Sequence, residues 1–511
     1  MYLLGIDIGT TGARALLVDD NTGAVVASAT SDYPLHTPKP QWAEQDPEDW
    51  WQGTIRAVGQ ALRLAGITGK DVRAIGLSGQ MHGVVLLDES GTVLRRSIIW
   101  CDQRSQAQCD WITERVGAER LIRLTCNPAL TGFSAPKLLW IRDNEPEIYA
   151  RARKFLLPKD YIRYRLTGEY ASEVSDASGT TLFDVSARRW SEEVLHDLQV
   201  DRDLLPEVYE SPVVSGRVSA AGAEATGLQV GTPVVGGGGD QAAGGVGNGV
   251  VEPGILSATI GSSGVLFAHT ERPTLDPKGR MQTFCHAVPG AWHVMGVTQG
   301  AGLSLRWWRD NFGADEMELA RRTGRDAYEY LTAEAAQAEP GADGLLWLPY
   351  LMGERAPHLD PDARGVLFGL TMRSRRQDVL RAVLEGVAYS LRDSLEILQH
   401  EMALQPREVR ASGGGAASAL WRQIMADIFH TEITTLNIAQ GPAYGVALLA
   451  GVGSGVWGSV PEACRATLRV VDRLAPDPQR AALYDRYYQI YRALYPALKD
   501  IYKAVARLTA G

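Results

Sequence analysis

Near its start the chain reads Leu3-Leu4-Gly5-Ile6-Asp7-Ile8-Gly9-Thr10-Thr11-Gly12-Ala13-Arg14-Ala15-Leu16-Leu17-Val18. Two apolar runs of strand character flank a Gly-Thr-Thr-Gly turn, which predicts a β-hairpin whose tip needs glycine torsions. Such a tip exposes backbone N–H groups beside two hydroxyls and makes a cradle for anionic oxygens. Asp7, at the end of the first strand, stands where a carboxylate can hold a divalent cation beside them. An ordinary hairpin with a glycine turn satisfies the same letters.

A second copy weighs against chance. Residues 257–267 read Ser-Ala-Thr-Ile-Gly-Ser-Ser-Gly-Val-Leu-Phe, so Gly261-Ser262-Ser263-Gly264 again lies between apolar strands, with Thr259 in the place of Asp7. Two such turns, near the starts of two halves, predict a duplicated domain. A length of 511 residues suits two domains. The boundary is placed in the stretch 248–254, giving domains 1–247 and 254–511.

Composition narrows the class. A net charge of -9 argues against nucleic acid as a partner. Five cysteines without a CxxC pair predict reduced thiols in a cytoplasmic protein rather than a disulfide or zinc framework. The first residues carry no basic run and read as a strand, not a secretion signal. Residues 433–461 carry no charge, but Asn437, Gln440, Gly441-Pro442 and later glycines interrupt them, so a buried loop and packed helix are expected rather than a membrane span.

Helices and strands alternate. Asp46-Pro47-Glu48-Asp49 is a helix start. A strand is expected over 72–78 and a second hairpin over 84–94. In the second half, helices are expected over 376–400, 418–429 and 480–508, the last bent near Pro496. Hairpins with intervening helices describe a mixed α/β sheet rather than an all-parallel one.

Three further constellations carry chemistry. A strand at Val234-Val235 runs into Gly236-Gly237-Gly238-Gly239 and then Asp240-Gln241, placing a carboxylate at a helix start where a substrate can approach the backbone and give up a hydroxyl proton. A flexible linker with Asp240 as a plain cap is the bland alternative. Gln80-Met81-His82-Gly83 leaves the end of a strand, where His82 can bond hydroxyls and Met81 can pack on carbons, although most lone histidines are structural. Ser412-Gly413-Gly414-Gly415 leaves room for a flat ring. Gly69-Lys70 is followed by Asp71, so there is no P-loop. Gly5, Gly9 and Gly12 lack dinucleotide spacing and lead into a strand.

These residues and two long motifs resemble the FGGY family of carbohydrate kinases. The motifs are Gly132-Phe133-Ser134-Ala135-Pro136-Lys137-Leu138-Leu139-Trp140-Ile141-Arg142-Asp143-Asn144, and the stretch from Gly365-Val366-Leu367-Phe368-Gly369-Leu370 to Ala382-Val383-Leu384-Glu385. The resemblance implies an α/β fold of two duplicated actin-like ATPase (ribonuclease H-like) domains with a cleft between them, the first binding sugar and the second adenosine.

It implies ATP and Mg²⁺ as cofactors and a sugar as acceptor. Asp240 would be the general base and Asp7 the metal ligand. Thr10, Thr11, Gly12 and Arg14, with Gly261, Ser262 and Ser263, would meet phosphates. Gly302, Arg306, Gly414 and Ser418 would line the rest of the nucleotide. Gln80, Met81, His82, Asp102, Arg104, Asp240 and Gln241 would bind sugar.

Within the family the likeness to members acting on D-xylulose rests on Gln80-Met81-His82-Gly83, Trp100-Cys101-Asp102-Gln103-Arg104, Leu157-Pro158-Lys159-Asp160-Tyr161 and Gly353-Glu354-Arg355-Ala356-Pro357-His358. Ribulose, gluconate and glycerol are the alternative acceptors, and an actin-like ATPase switch or chaperone is the alternative class. A homodimer is one expectation for the assembly.

Overall fold

The computed structural model describes residues 1–509. The opening runs form strands Tyr2–Ile8 and Gly12–Asp19, paired antiparallel with Ile8 opposite Ala13. Val25–Asp32 extends the hairpin on one side, and Val72–Gly79 lies parallel to Tyr2–Ile8 on the other. The sheet continues through Pro233–Val235 to Val214–Arg217, and Gly238–Gly239 pairs with the end of Val72–Gly79. Parallel pairing needs a crossover, and the helix Pro47–Ala65 supplies it. That helix starts as the sequence predicts: the Asp46 carboxylate accepts the Glu48 N–H at 3.0 Å, and Pro47 takes the first helical position. Its Trp50, Trp51, Ala57 and Ala61 are buried in one cluster with Leu4, Ile6 and Leu17. Each large apolar side chain so buried contributes about 1.5–3 kcal/mol, so this face rather than the capping holds the helix.

The uncharged stretch resolves into the strand Ile433–Leu436 and the helix Gly441–Gly453. Among the described residues no helix is long and apolar enough to cross a membrane. The helix Gly441–Gly453 lies directly on the first sheet. A Cβ on Gly5 would stand 1.9 Å from the Ala443 carbonyl oxygen, and one on Gly76 1.9 Å from that of Val446. No water reaches such a contact, so a charge there would be unsolvated, which accounts for the composition of the run. The same helix packs along Asp240–Gly247.

The second sheet repeats the first. Ile255–Ile260 and Gly264–Thr270 pair antiparallel, Glu408–Ser412 joins Ile255–Ile260 in parallel, and Ile433–Leu436 and Val470–Leu474 follow. The duplication reaches single residues: Asp7 stands opposite Ser78 in the first sheet, and Thr259 stands opposite Ser412 in the second. The two tips nevertheless close differently. Ile8 faces Ala13 across the first, whereas Ile260 faces Gly264 across the second, which is therefore one residue tighter.

Two expectations are corrected in part. The hairpin over 84–94 closes on a single rung, with Leu87 bridging Val93 and Leu94 N–H donating to the Leu86 carbonyl at 2.9 Å, while Val85–Leu87 takes Lys154–Leu156 as its strand partner. The Asp88 carboxylate gathers the N–H groups of Ser90 and Thr92, tightening the loop and leaving its return arm too short for a strand. The helix expected to run to His400 ends at Glu396 and passes into a wider π-turn, Ile397–Glu401. The chain also divides into two compact units whose segments interleave along the sequence. The first comprises Met1–Glu252, His269–Val294 and Gln440–Arg469; the second takes Pro253–Ala268, Met295–Ala439 and the residues from Val470 onward. The last helix, Pro478–Thr509, runs through Pro496 unbroken.

Candidate active site

The first glycine tip is held from several sides. Gly9 N–H donates to the Gly12 carbonyl at 3.1 Å, and the Tyr33 hydroxyl donates to the Gly9 carbonyl. Gln45 Nε2 donates to the Thr10 carbonyl at 2.7 Å, and Trp100 Nε1 donates to Thr10 Oγ1 at 2.9 Å. Gln80 Nε2 and Trp50 Nε1 both donate to Gln45 Oε1, at 2.7 and 3.1 Å. Gln45 is thus the buried hub that fixes the tip. Sequence reasoning missed it because a glutamine in a two-residue strand carries no pattern. Thr11 is exposed at the tip, and Arg14, also exposed, donates from Nε to Thr30 Oγ1 at 3.4 Å.

Register brings the two key carboxylates to one end of the sheet. Asp7, Ser78 and Gly238 stand opposite one another on three neighbouring strands. Strands lie about 4.8 Å apart, so Gly238 is roughly 10 Å across from Asp7. Asp240 follows two residues later as the first residue of the helix Asp240–Gly247. Asp7 and Asp240 are each half-buried as whole residues. Lost hydration, and next the negative charge of Asp7, push the Asp240 carboxyl up to about 7, against opposing hydrogen bonds from Gln241. Asp7 is raised as well, chiefly by burial, with the Ser78 hydroxyl and the Arg14 guanidinium pulling it back. Its Oδ1 is buried without a hydrogen-bond partner.

Met81 and His82 close around this end. A Cβ on Gly239 would meet Met81 Cγ at 2.9 Å, so the methionine lies against the residue preceding Asp240. His82 adopts a left-handed φ of 72°, and its Nδ1 lies 2.7 Å from the Gly179 carbonyl oxygen. Nδ1 therefore carries the proton in the neutral ring, leaving Nε2 as the acceptor nitrogen. The ring stacks on Phe133 at 4.5 Å between centroids, while the ammonium of buried Lys137 donates to the His82 carbonyl at 3.1 Å.

Asp102 and Arg104 are placed differently from the other sugar candidates. Both side chains are almost fully buried; Arg104 Nη2 lies 2.7 Å from Asp102 Oδ2 and Nη1 lies 2.8 Å from Glu44 Oε1. Asp102 Oδ2 also accepts the Ala43 N–H at 2.6 Å, and the guanidinium sits 3.6 Å from the centre of the Trp42 ring. These groups brace residues 42–44, the segment leading into Gln45.

In the second unit Gly261 N–H donates to the Ser263 carbonyl at 3.0 Å, and Ser262 is exposed. The helix Ala301–Phe312 docks on this tip: Gly302 N–H donates to the Gly261 carbonyl at 2.8 Å and Leu303 N–H to that of Ser262 at 3.0 Å. A Cβ on Gly302 would stand 2.3 Å from the Gly261 oxygen, so only glycine permits this approach. Arg306 is mostly exposed, with Nε 3.5 Å from Asp310 Oδ2. Gly414 is open, with nothing within 4 Å of a Cβ built there. Ser418 caps the helix Ala419–Phe429, its Oγ accepting the Trp421 N–H at 3.3 Å. Thr259 Oγ1 and Ser412 Oγ lie 2.8 Å apart, where the first unit has Asp7 and Ser78.

Residues 2–247 match the N-terminal domain of the FGGY family of carbohydrate kinases, and residues 256–454 match its C-terminal domain. The chain belongs to this family. Its members are phosphotransferases with an alcohol acceptor, and its duplicated actin-like ATPase fold is the one seen here. Over 502 residues the chain is 41% identical to a xylulose kinase of Escherichia coli strain K12, covering 98% of this chain and 99% of that one. It is 35% identical to a gluconokinase of Bacillus subtilis strain 168 over 449 residues, 88% of this chain and 86% of that one. A crystal structure of xylulose kinase from Rhodospirillum rubrum superposes with a TM-score of 0.88 at 31% identity, covering 98% of this chain and all of that one.

Proposed function

We propose that this kinase transfers the γ-phosphoryl group of ATP to the terminal hydroxyl of D-xylulose, giving D-xylulose 5-phosphate and ADP. The observation that carries the reading is Asp240, a carboxylate of raised proton affinity beside Asp7, with Met81 packed on the preceding glycine. A carboxyl titrating near 7 is poised to accept a proton at neutral pH. The sugar's hydroxyl oxygen forms the new bond to phosphorus, its proton passes to an Asp240 carboxylate oxygen, and the bond to the β,γ-bridging oxygen breaks. Met81 offers an apolar face to the sugar carbons, and the acceptor nitrogen of His82 takes a hydroxyl hydrogen. Gln80 and Gln241 flank these groups. The likeness to xylulose kinases over nearly the whole chain supports the choice of sugar.

Asp7 would hold Mg²⁺. The fit rests on its buried Oδ1 without a hydrogen-bond partner and on the hard oxygen donor it presents; Mg²⁺ commonly takes one or two carboxylates, with phosphates and waters completing its shell. When bound, the ion supplies positive charge that offsets the negative charge of the phosphates. Thr10, Thr11, Gly12 and Arg14 are the first unit's phosphate contacts. Gly261, Ser262, Ser263, Gly302, Arg306, Gly414 and Ser418 are the nucleotide contacts assigned to the second unit.

The test is ADP release measured with D-xylulose, L-xylulose, D-ribulose, gluconate and glycerol. The highest kcat/KM is expected with D-xylulose. Preference for gluconate would move the assignment to another acceptor, and no stimulation by any of them would overturn the kinase reading.

A further inference from the structure

We infer that Arg163 and Glu173 are positioning residues that lock the glycine bridge aiming Asp240, an inference that rests on the proton-accepting role proposed above. Asp240 is tied to the strand Pro233–Val235 by Gly236, Gly237, Gly238 and Gly239, four residues with no side chain to anchor them. Glycine loses more conformational freedom on ordering than any other residue, so such a bridge wanders unless its backbone groups are held. Here both ends are held by buried charge.

At the entry, the planar fork of Arg163 donates Nη1 to the Val235 carbonyl at 2.7 Å and Nη2 to the Gly236 carbonyl at 2.6 Å. Midway, Gly237 N–H donates to the Ser211 carbonyl at 2.9 Å. At the exit, the N–H of Gly239, the residue before Asp240, points at Ser175 Oγ at 3.0 Å and Glu173 Oε1 at 3.2 Å. Glu173 is itself fixed by the Ser175 and Asp176 N–H groups and the Ser175 and Ser211 hydroxyls.

Arg163 and Glu173 are fully buried, as are Lys159, Asp160 and Asp176 around them. Lys159 Nζ lies 2.6 Å from Asp160 Oδ1, 3.3 Å from Asp176 Oδ2 and 3.7 Å from Glu173 Oε1; Arg163 Nη2 lies 3.5 Å from Asp160 Oδ1. Burying five ionisable groups does little for stability compared with an apolar core of the same volume. What an apolar core lacks is a pair of donors set at the spacing of two successive carbonyls, and an acceptor for the amide beside the base. Lysine in place of Arg163 keeps the charge but cannot donate to both carbonyls in fixed geometry.

The experiment uses full-length Arg163→Lys, Glu173→Gln and Glu173→Ala, each made in the native and the Asp240→Asn background. Arg163→Lys and Glu173→Ala are expected to lower kcat by roughly 10- to 100-fold, the scale of a misplaced catalytic group, with KM for ATP within about twofold. Glu173→Gln, which keeps an acceptor for the Gly239 N–H, is expected to lose less. In the Asp240→Asn background the same changes should alter the residual rate by less than about twofold, because groups acting through one residue are not additive. A loss that persists undiminished without Asp240, or KM for ATP rising in step, would overturn the inference.

Amide exchange supplies a readout independent of activity. Peptides covering residues 233–241 should exchange faster in Arg163→Lys while the hairpin strands are unaffected, and unchanged protection there would also sink it. Failure of the native protein to phosphorylate any sugar counts against the function proposed above; the exchange result still judges the lock.

Discussion

Replacing Asp240 with asparagine is expected to move activity and stability in opposite directions. The two side chains have the same shape, and the position is the first residue of its helix with Gly239 as the cap, so the fold loses no capping group. Catalysis loses its proton acceptor, and turnover should fall by about 10²–10⁴. Stability should rise at alkaline pH. A carboxyl whose folded value is about 7, against 3.8 in an unfolded chain, is held preferentially in its protonated form by the native state. The group's contribution is intact below 3.8 and is lost progressively as pH rises to about 7, so above that the ionised native protein carries the full cost. At 1.36 kcal/mol per pH unit that cost is about 4 kcal/mol; partial access of water to the site reduces it to roughly 2 kcal/mol. Asparagine escapes it, and the melting temperature should rise by roughly 3 °C at pH 8, with the gain fading towards pH 4. Differential scanning fluorimetry in EDTA, without nucleotide, reads the stability, and coupled ADP release reads turnover. Turnover within tenfold of the native enzyme would show that another group takes the proton. A lowered melting temperature at pH 8 would show that Asp240 is not strained by its surroundings.

Two further outcomes follow from the glycine tips and the carboxylate beside the first. Asp7→Asn should shift the midpoint of a Mg²⁺ activation titration upward by at least roughly tenfold and leave little turnover, and an unchanged midpoint would remove Asp7 from the metal. Gly302→Ala places a Cβ 2.3 Å from the Gly261 carbonyl oxygen, so the helix Ala301–Phe312 must move off the tip. Overpacking of this kind costs about 1–3 kcal/mol, and KM for ATP should rise roughly tenfold with KM for the sugar little altered. Equal rises in both would place the tip outside the nucleotide's contacts.

What the sequence discloses here is local and periodic. Gly9-Thr10-Thr11-Gly12 and its copy announce themselves because a tight tip restricts residue types, and Asp46-Pro47 announces a helix start for the same reason. The run of four glycines before Asp240 discloses a place where backbone must come close, and the structure puts Met81 there. What stays hidden depends on partners distant in the chain. Gln45 could not be singled out until Thr10, Trp50 and Gln80 were brought around it. Asp102 and Arg104 look like sugar-binding groups in a list of polar residues, yet their side chains engage each other and Glu44. The shortened hairpin over 84–94 has the same origin: strand propensity does not reveal which strand will pair, and Val85–Leu87 finds its full strand partner in Lys154–Leu156.

The helix Gly441–Gly453 bears on how the protein is made. It covers the sheet at Gly5 and Gly76, yet more than four hundred residues separate Gly5 from Ala443. During synthesis the opening hairpin and its parallel neighbour emerge long before their cover, and the face beneath it stays open to other chains for that interval. At 5–20 residues per second the wait lasts roughly 20 seconds or more. The N-terminal stretch 1–247 produced alone would therefore hold its strands without the helix that seals them, and would be prone to associate through that apolar face. Covalent order and folding order diverge in this chain, because the first strands to be made are completed by a helix from its last seventh.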